Sequence, residues 1–346
     1  MKILITGVAG FMGSHLADYL LRHQKKIGFM KLFGIDNLSG GYLRNVPKDV
    51  NFIKLNLLSK TGVRKYIKTV QPDYVYHLAA DATEGRSQFT PISAIENNIN
   101  IFINLITPLI ESKKFKKIVV TSSMSVYGSQ TPPFDETMPR LPEDIYGIAK
   151  TAVEQSVEVL SKVHNFSYTI IRPHNVYGPK QNIADPYRNV IGIFINSLMR
   201  GKPFFIYGDG RQKRAFTYID DFTPPFAQSM FLEKANGEII NLGPSKEYAV
   251  NEVADTILHV FYPKKPVPKN IRPRYIDSRP QEVILAYCTM IKAKKLLNFT
   301  PRTDLKEGIR QMISWAKSLG PQEFQYLKQL EINSPKAPIT WKKRLY

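Results

Sequence analysis

At 346 residues with 43% hydrophobic content, the chain can bury a full core and is too long for one minimal module. Its single cysteine, Cys288, excludes an intrachain disulfide and argues against a structural zinc site, and no apolar run approaches the roughly 18 residues of a membrane span. The net charge of +19 would suit an acidic partner. However, the lysines fall in small groups such as Lys113, Lys114, Lys116 and Lys117, or Lys264 and Lys265, not in one basic-aromatic run, so nucleic acid is not the expected partner.

In chain order, short β-branched runs alternate with longer amphipathic stretches, the pattern of βαβ units. Lys2–Thr6, Leu32–Asp36, Asn51–Leu55, Tyr74–His77, Lys117–Ser122 and Ser167–Arg172 predict strands. Helical periodicity covers Met12–His23, Lys60–Val70, Ile92–Ser112 and Tyr146–His164, with Pro108 expected to kink or shorten the third. The expected fold is α/β: a Rossmann-type doubly wound parallel sheet over residues 1–174, with a return segment near 236–243. After Arg172, Gly178-Pro179, Gly201, Pro203, Gly208, Gly210 and Pro224-Pro225 punctuate shorter elements, so residues 175–320 read as a smaller C-terminal α/β substrate lobe. Residues 321–346 read as a tail, basic from Pro335 onward. The first strand run is too short for a secretory signal, and a soluble, cytoplasmic protein is expected.

Gly7, Gly10 and Gly13 follow the first strand at once and open a helix, which bares backbone amides to a pyrophosphate. A glycine trio alone is equally a tight strand-to-helix turn. Asp36, at the end of the second strand, tips the balance toward a dinucleotide: its carboxylate can accept both ribose hydroxyls of NAD and would repel a 2'-phosphate. Farther on, Tyr146 and Lys150 are four residues apart, hence on one helix face, where the cation can favour the phenolate. Tyr-x-x-x-Lys alone is commonly two surface residues. Here it is joined by a hydroxyl cluster, Thr121-Ser122-Ser123, ending a central strand at the sheet edge where a nicotinamide would lie.

The motifs Thr6-Gly-Val-Ala-Gly-Phe-Met-Gly13, His77-Leu-Ala-Ala80, Thr121-Ser-Ser123 with Val126-Tyr-Gly128, Tyr146 to Lys150, Arg172-Pro-His-Asn-Val-Tyr-Gly-Pro179, Phe216-Thr-Tyr-Ile-Asp-Asp221 and Arg279-Pro-Gln-Glu-Val283 occur in this order. Across nearly its whole length the chain resembles the extended short-chain dehydrogenase/reductases, and within them the NAD-dependent sugar-nucleotide epimerase/dehydratase group, UDP-glucose 4-epimerase-like. The resemblance implies that Gly7, Gly10, Phe11, Met12 and Gly13 form the pyrophosphate turn and that Asp36 and Asn37 meet the adenosine ribose. It puts Asn56, where the family usually has Asp, and Leu57 near the adenine, and Leu78, Ala79, Ala80, Asn98 and Pro173 along the cofactor cleft, with Tyr146 and Lys150.

By the same resemblance Asn175, Asn189, Tyr207, Arg214 and Arg279 hold the nucleotide diphosphate and base, although Ala215 replaces the Asp usual after Arg214. Ala286 would border the carbon 2 substituent and, being small, admit an N-acetyl group; a one-residue shift would put Tyr287 or Cys288 there instead. Ser123, Tyr146 and Lys150 are the implied catalytic residues, with Ser123 also touching substrate, and no metal is implied. Dehydratases of the group carry an Asp-Glu pair where this chain has Met124 and Ser125. The expected function is therefore NAD-dependent 4-epimerisation of a UDP-hexose or UDP-N-acetylhexosamine through a transient 4-keto sugar. The alternatives are 4,6-dehydration, decarboxylation or reduction, or a non-catalytic dinucleotide- or nucleic-acid-binding Rossmann protein. A homodimer through the helical segments Ile92–Ser112 and Tyr146–His164 is also implied.

Overall fold

The computed structural model describes residues 1–279 and 283–346. The first half alternates strand and helix: β1 (Lys2–Thr6), α1 (Phe11–Ile27), β2 (Lys31–Asp36), β3 (Asn51–Lys54), α2 (Lys60–Val70), β4 (Tyr74–His77), α3 (Glu84–Ser87), α4 (Pro91–Ile95), α5 (Ile101–Ile110), β5 (Lys117–Thr121), α6 (Ile145–His164) and β6 (Ser167–Pro173). After β7 (Val176–Tyr177) come α7 (Val190–Met199), β8 (Phe205–Tyr207), β9 (Lys213–Ala215), β10 (Thr217–Tyr218), α8 (Ile219–Gln228), β11 (Glu238–Leu242), β12 (Glu247–Ala249) and α9 (Val250–Phe261). The chain finishes with β13 (Arg274–Ile276), β14 (Leu285–Ala286), α10 (Ile291–Leu297), α11 (Leu305–Leu319) and α12 (Ile339–Lys342).

Seven strands form one parallel sheet in the order β11-β6-β5-β4-β1-β2-β3. The order reverses between β1 and β4, and ligands of open α/β sheets lie beyond the carboxyl ends of the strands at such a point. Strand alternation sorts the core into two layers. Ile3 and Ile5 of β1 join Leu16 and Leu20 of α1 on one face, whereas Leu4 joins Val63, Ile67, Phe102, Leu105, Val153 and Val157 on the other. The return strand β11 pairs with β6, and three small sheets, β12-β9-β14, β13-β8 and β10-β7, build the second lobe above the strand ends.

The helices begin and end where side chains settle the terminal backbone groups. Ser59 caps α2 at the Gly62 N–H, and Asp144 caps α6 by accepting from the Gly147 N–H at 2.7 Å. Gln71 and Asn165 close these helices in the left-handed conformation. The break expected at Pro108 lies elsewhere: Pro108 sits inside α5, two residues before its end, and the interruption is a π-turn over Glu96–Asn100 with Asn97 at φ −86° and ψ 15°. So near a helix end, Pro108 costs only one hydrogen bond of a last turn. Residues 321–346, expected as a tail, are packed into the body, with Thr340, Trp341 and Tyr346 buried. No helix among the described residues is long and apolar enough to cross a membrane.

Candidate active site

A cavity of about 820 Å³ opens at the β1/β4 reversal and runs from the glycine turn to the second lobe. Gly7 adopts φ +73°, and a Cβ there would stand 2.8 Å from the Ala79 backbone nitrogen, so only glycine lets the first turn approach β4. A Cβ on Gly13 would collide with the Gly7 carbonyl, which fixes close packing of α1 on the turn. Gly10 is the N-cap of α1, and no side chain caps that helix, which leaves its first amides to a ligand. Asp36 accepts from the Ala9 N–H at 3.0 Å and the Leu38 N–H at 2.7 Å, so its carboxylate is aimed at the turn. Burial raises its pKa, while these backbone hydrogen bonds pull the other way. The bare helix start, the glycine turn and the carboxylate beside it fit the pyrophosphate and ribose of NAD.

Of the residues expected at the cofactor, Gly7, Gly10, Phe11, Met12, Gly13, Asp36, Asn37, Asn56, Leu57, Leu78, Ala79, Ala80 and Pro173 all line this cavity. Asn56 spends one lone pair on the Leu58 N–H at 2.9 Å and keeps the other. Asn98 is the exception. It is buried beneath the cleft, donating to the carbonyls of Asp81 and Ala94 at 3.1 and 2.8 Å, and Asn97 faces the cavity instead. The π-turn inserts a residue into the helical register, which an ideal 3.6-residue count over Ile92–Ser112 does not anticipate.

Tyr146 and Lys150 occupy the first turns of α6, with the Lys150 Nζ 5.6 Å from the Tyr146 ring centroid and donating to the Thr121 carbonyl at 2.9 Å. Burial pushes the Lys150 ammonium down to about 8. It pushes the Tyr146 phenol up, and the Glu84 charge adds to this, whereas a hydrogen bond with Ser123 works against it. A phenol so placed ionises only when a further positive charge arrives beside it. Behind it lies a buried ionic network that the sequence reading missed: Glu154 accepts from Arg172 at 2.7 and 2.8 Å, from Arg140 at 2.5 Å and from Ser122 at 2.5 Å. This clamps the end of β5, and hence Ser123, to α6.

In the second lobe Asn175, Asn189, Tyr207, Arg214, Arg279 and Ala286 line the same cavity. Asn175 donates to the Ala215 carbonyl at 2.8 Å, and Arg214, lacking a following acid, is held by the backbone carbonyls of Val283 and Ile284. The Arg279 guanidinium lies 4.8 Å above the Tyr207 ring. Ala286 touches the cavity wall but is itself buried, sharing a small cluster with Val126, Tyr127, Phe134 and the fully buried Cys288.

Further wall residues come from two unexpected places. Glu84, Arg86 and Arg188 line the cavity, as do Gln325, Leu327, Pro338, Trp341 and Tyr346 of the C-terminal segment. That segment is tied to both lobes. Glu331 accepts from the Ile92 and Ser93 N–H groups at 2.7 and 2.9 Å on the Rossmann side, and on the other side the Gln325 N–H donates to the Ala184 carbonyl at 2.8 Å while Thr340 bonds the Tyr207 hydroxyl. Trp341 packs between Phe89 and Tyr187. Four aromatic residues, Phe324, Tyr326, Trp341 and Tyr346, in a segment read as a tail were the available signal.

Comparison with known proteins agrees with this geometry. Residues 3–243 match the family model described as NAD dependent epimerase/dehydratase family. A putative UDP-glucose 4-epimerase from Methanocaldococcus jannaschii is 32% identical over 91% of this chain and 98% of its own length. A UDP-N-acetyl-alpha-D-glucosaminuronate decarboxylase from Bacillus cytotoxicus is 30% identical over 92% and 98%. The crystal structure of UDP-glucuronic acid 4-epimerase from Bacillus cereus, in complex with UDP-glucuronic acid and NAD, superposes with a TM-score of 0.82 at 28% identity, covering 92% of this chain and all of that one. With the family model spanning the glycine turn, the Tyr146/Lys150 helix and the return strand, the chain belongs to the NAD dependent epimerase/dehydratase family, and its cofactor is NAD.

Proposed function

We propose that the protein is a nucleotide-sugar 4-epimerase acting on UDP-hexoses or UDP-N-acetylhexosamines. One observation carries this reading: Ser123, Tyr146 and Lys150 share a single cavity with both the glycine turn and the arginines Arg214 and Arg279. A dinucleotide at one end and a diphosphate at the other leave the sugar beside Tyr146.

NAD, when bound, supplies a hydride acceptor and the positive charge that the Tyr146 phenol lacks. The Tyr146 oxygen then takes the proton of the sugar's carbon 4 hydroxyl, Ser123 hydrogen-bonds that oxygen, and Lys150 stabilises the phenolate. Arg214 and Arg279 hold the diphosphate while the keto-sugar turns about its link to it; reduction on the other face gives the epimer. Met124 and Ser125 supply neither the acid nor the base that water elimination needs, which favours epimerisation over dehydration. Ala286 on the cavity wall supports room for a carbon 2 N-acetyl group.

A homodimer working in the cytoplasm completes the reading. Ile103 on α5 and Ile148, Val159 and Val163 on α6 are exposed apolar side chains, and the last three recur at helical spacing, as a face seated on a second copy would have them. Product analysis by NMR after incubation with UDP-glucose, UDP-N-acetylglucosamine, dTDP-glucose and GDP-mannose tests the reaction. Inversion at carbon 4 supports it; a 6-deoxy-4-keto product or loss of carbon dioxide overturns it.

A further inference from the structure

Among the acidic side chains that line the cavity, Asp81 and Asp185 are paired with arginines and Asp144 caps α6, whereas Glu84 has no such partner and lies beside the proton-transfer tyrosine. Glu84 opens α3 and lines the cavity together with Tyr146. The helix is fixed there: the Ser87 hydroxyl donates to the Glu84 carbonyl at 2.6 Å and accepts from the Tyr146 backbone N–H at 3.1 Å. Gly85 beside it leaves the wall thin, so that a Cβ at that position would lie 3.9 Å from both the Arg279 guanidinium and the Trp341 ring. Glu84 therefore sits between the proton-transfer tyrosine and the diphosphate end.

Burial raises the pKa of Glu84 and the charges of Arg188 and Arg279 favour its ionised form, but Arg86, Arg188 and Lys150 have partners of their own. Arg86 pairs with Asp81 at 2.6 Å, Arg188 pairs with Asp185 at 2.9 Å, and Lys150 donates to the Thr121 carbonyl. No salt bridge joins the Glu84 carboxylate to any of them. The Glu84 side chain is exposed within the cavity, so its carboxylate can accept hydrogen bonds from a ligand, and a second carboxylate brought against it as the sugar displaces water would be repelled.

We propose that Glu84 selects the sugar: it accepts a hydrogen bond from a hydroxyl of a neutral hexose or N-acetylhexosamine and excludes sugars that carry a carboxylate, so that nucleotide uronates are not substrates. This rests on the nucleotide-sugar reading above and narrows it. It also separates the chain from the two uronate-acting relatives, to which it is about as similar as to the putative glucose epimerase.

The test is calorimetric binding of UDP-glucose, UDP-N-acetylglucosamine and UDP-glucuronate to the NAD-loaded wild type and to Glu84→Gln, with bound NAD measured in both proteins as the check of folding. Wild type should bind the neutral sugars on the order of a hundredfold more tightly than the uronate. Glu84→Gln, which keeps shape and removes charge, should shrink that ratio at least tenfold, mostly by tighter uronate binding. A wild type that binds uronate as well as hexose, or a ratio unchanged in Glu84→Gln, overturns the assignment. Turnover of the same sugars is read separately: discrimination in binding without any epimer formed would sink the proposed reaction and leave Glu84 as the selector.

Discussion

The backbone N–H of Tyr146 is held by the side chain of Ser87, 3.1 Å away, so the tyrosine's place is set by a residue fifty-nine positions earlier in the chain. That contact seats α3 on the first turn of α6, whose own N-cap Asp144 has its pKa pushed up to about 7 by burial. Tyr146→Phe leaves this framework intact and removes only the phenolic oxygen. Turnover should fall by about 100- to 10,000-fold with bound NAD and melting temperature unchanged, the loss expected for a missing general base.

The state of Lys150 should govern the alkaline side of the pH profile. Its ammonium, pushed down to about 8 by burial, loses its proton as pH rises through that value, and the phenolate then loses its counter-charge. The kcat should decline above about pH 8. Lys150→Arg keeps the charge at all accessible pH, so its rate, lower from imperfect fit, should no longer decline there. An alkaline limb identical in the two proteins would remove Lys150 from the proton chemistry.

The ionic network behind the site is a stability element. Burial opposes ionisation of Glu154, but hydrogen bonds and charge from Arg172, aided by Ser122 and Arg140, hold its pKa below the usual carboxylate value. A depressed carboxyl stabilises the fold at neutral pH and loses that contribution as pH falls through its folded pKa. Glu154→Gln leaves Arg172 buried without its partner and should cost about 3–5 kcal/mol at pH 7 by urea unfolding. The gap from wild type should narrow toward pH 3.

If the C-terminal segment closes the substrate cavity, its loss should appear in KM. Trp341→Ala should raise KM for the UDP-sugar by about tenfold with kcat changed less than about threefold, since a contact shared by ground and transition states is removed. Glu331 does not itself line the cavity but ties the segment to α4 through the N–H groups of Ile92 and Ser93, and Glu331→Ala should move KM in the same direction. Normal KM in both variants would reduce the segment to packing.

How much of this was legible in the sequence follows from the range of the forces involved. The span Lys60–Val70 and the strands Lys2–Thr6 and Tyr74–His77 match the structure residue for residue, because local periodicity and capping decide them. Glycine spacing and the Asp36 register likewise anticipated a glycine turn and a carboxylate that meet at the cavity. Asn98 was misplaced because a π-turn is a tertiary accommodation with no clear local code, and Pro108 misled because its cost depends on how near the helix end it falls. Glu84 and Trp341 were missed for another reason: they meet the cavity only through contacts with Ser87, Phe89 and Tyr187, which no spacing rule connects.

The central claim is that the carbon 4 hydrogen leaves as hydride and returns to the same carbon. The direct measurement is UDP-glucose, or UDP-N-acetylglucosamine, labelled with deuterium at carbon 4 and incubated with the protein in ordinary water, with products resolved by NMR. Full retention of deuterium at carbon 4 of the galacto product is predicted, because hydride held within the closed cavity does not exchange with solvent. Washout of the label, deuterium found at another carbon, or no inversion at all would contradict the account.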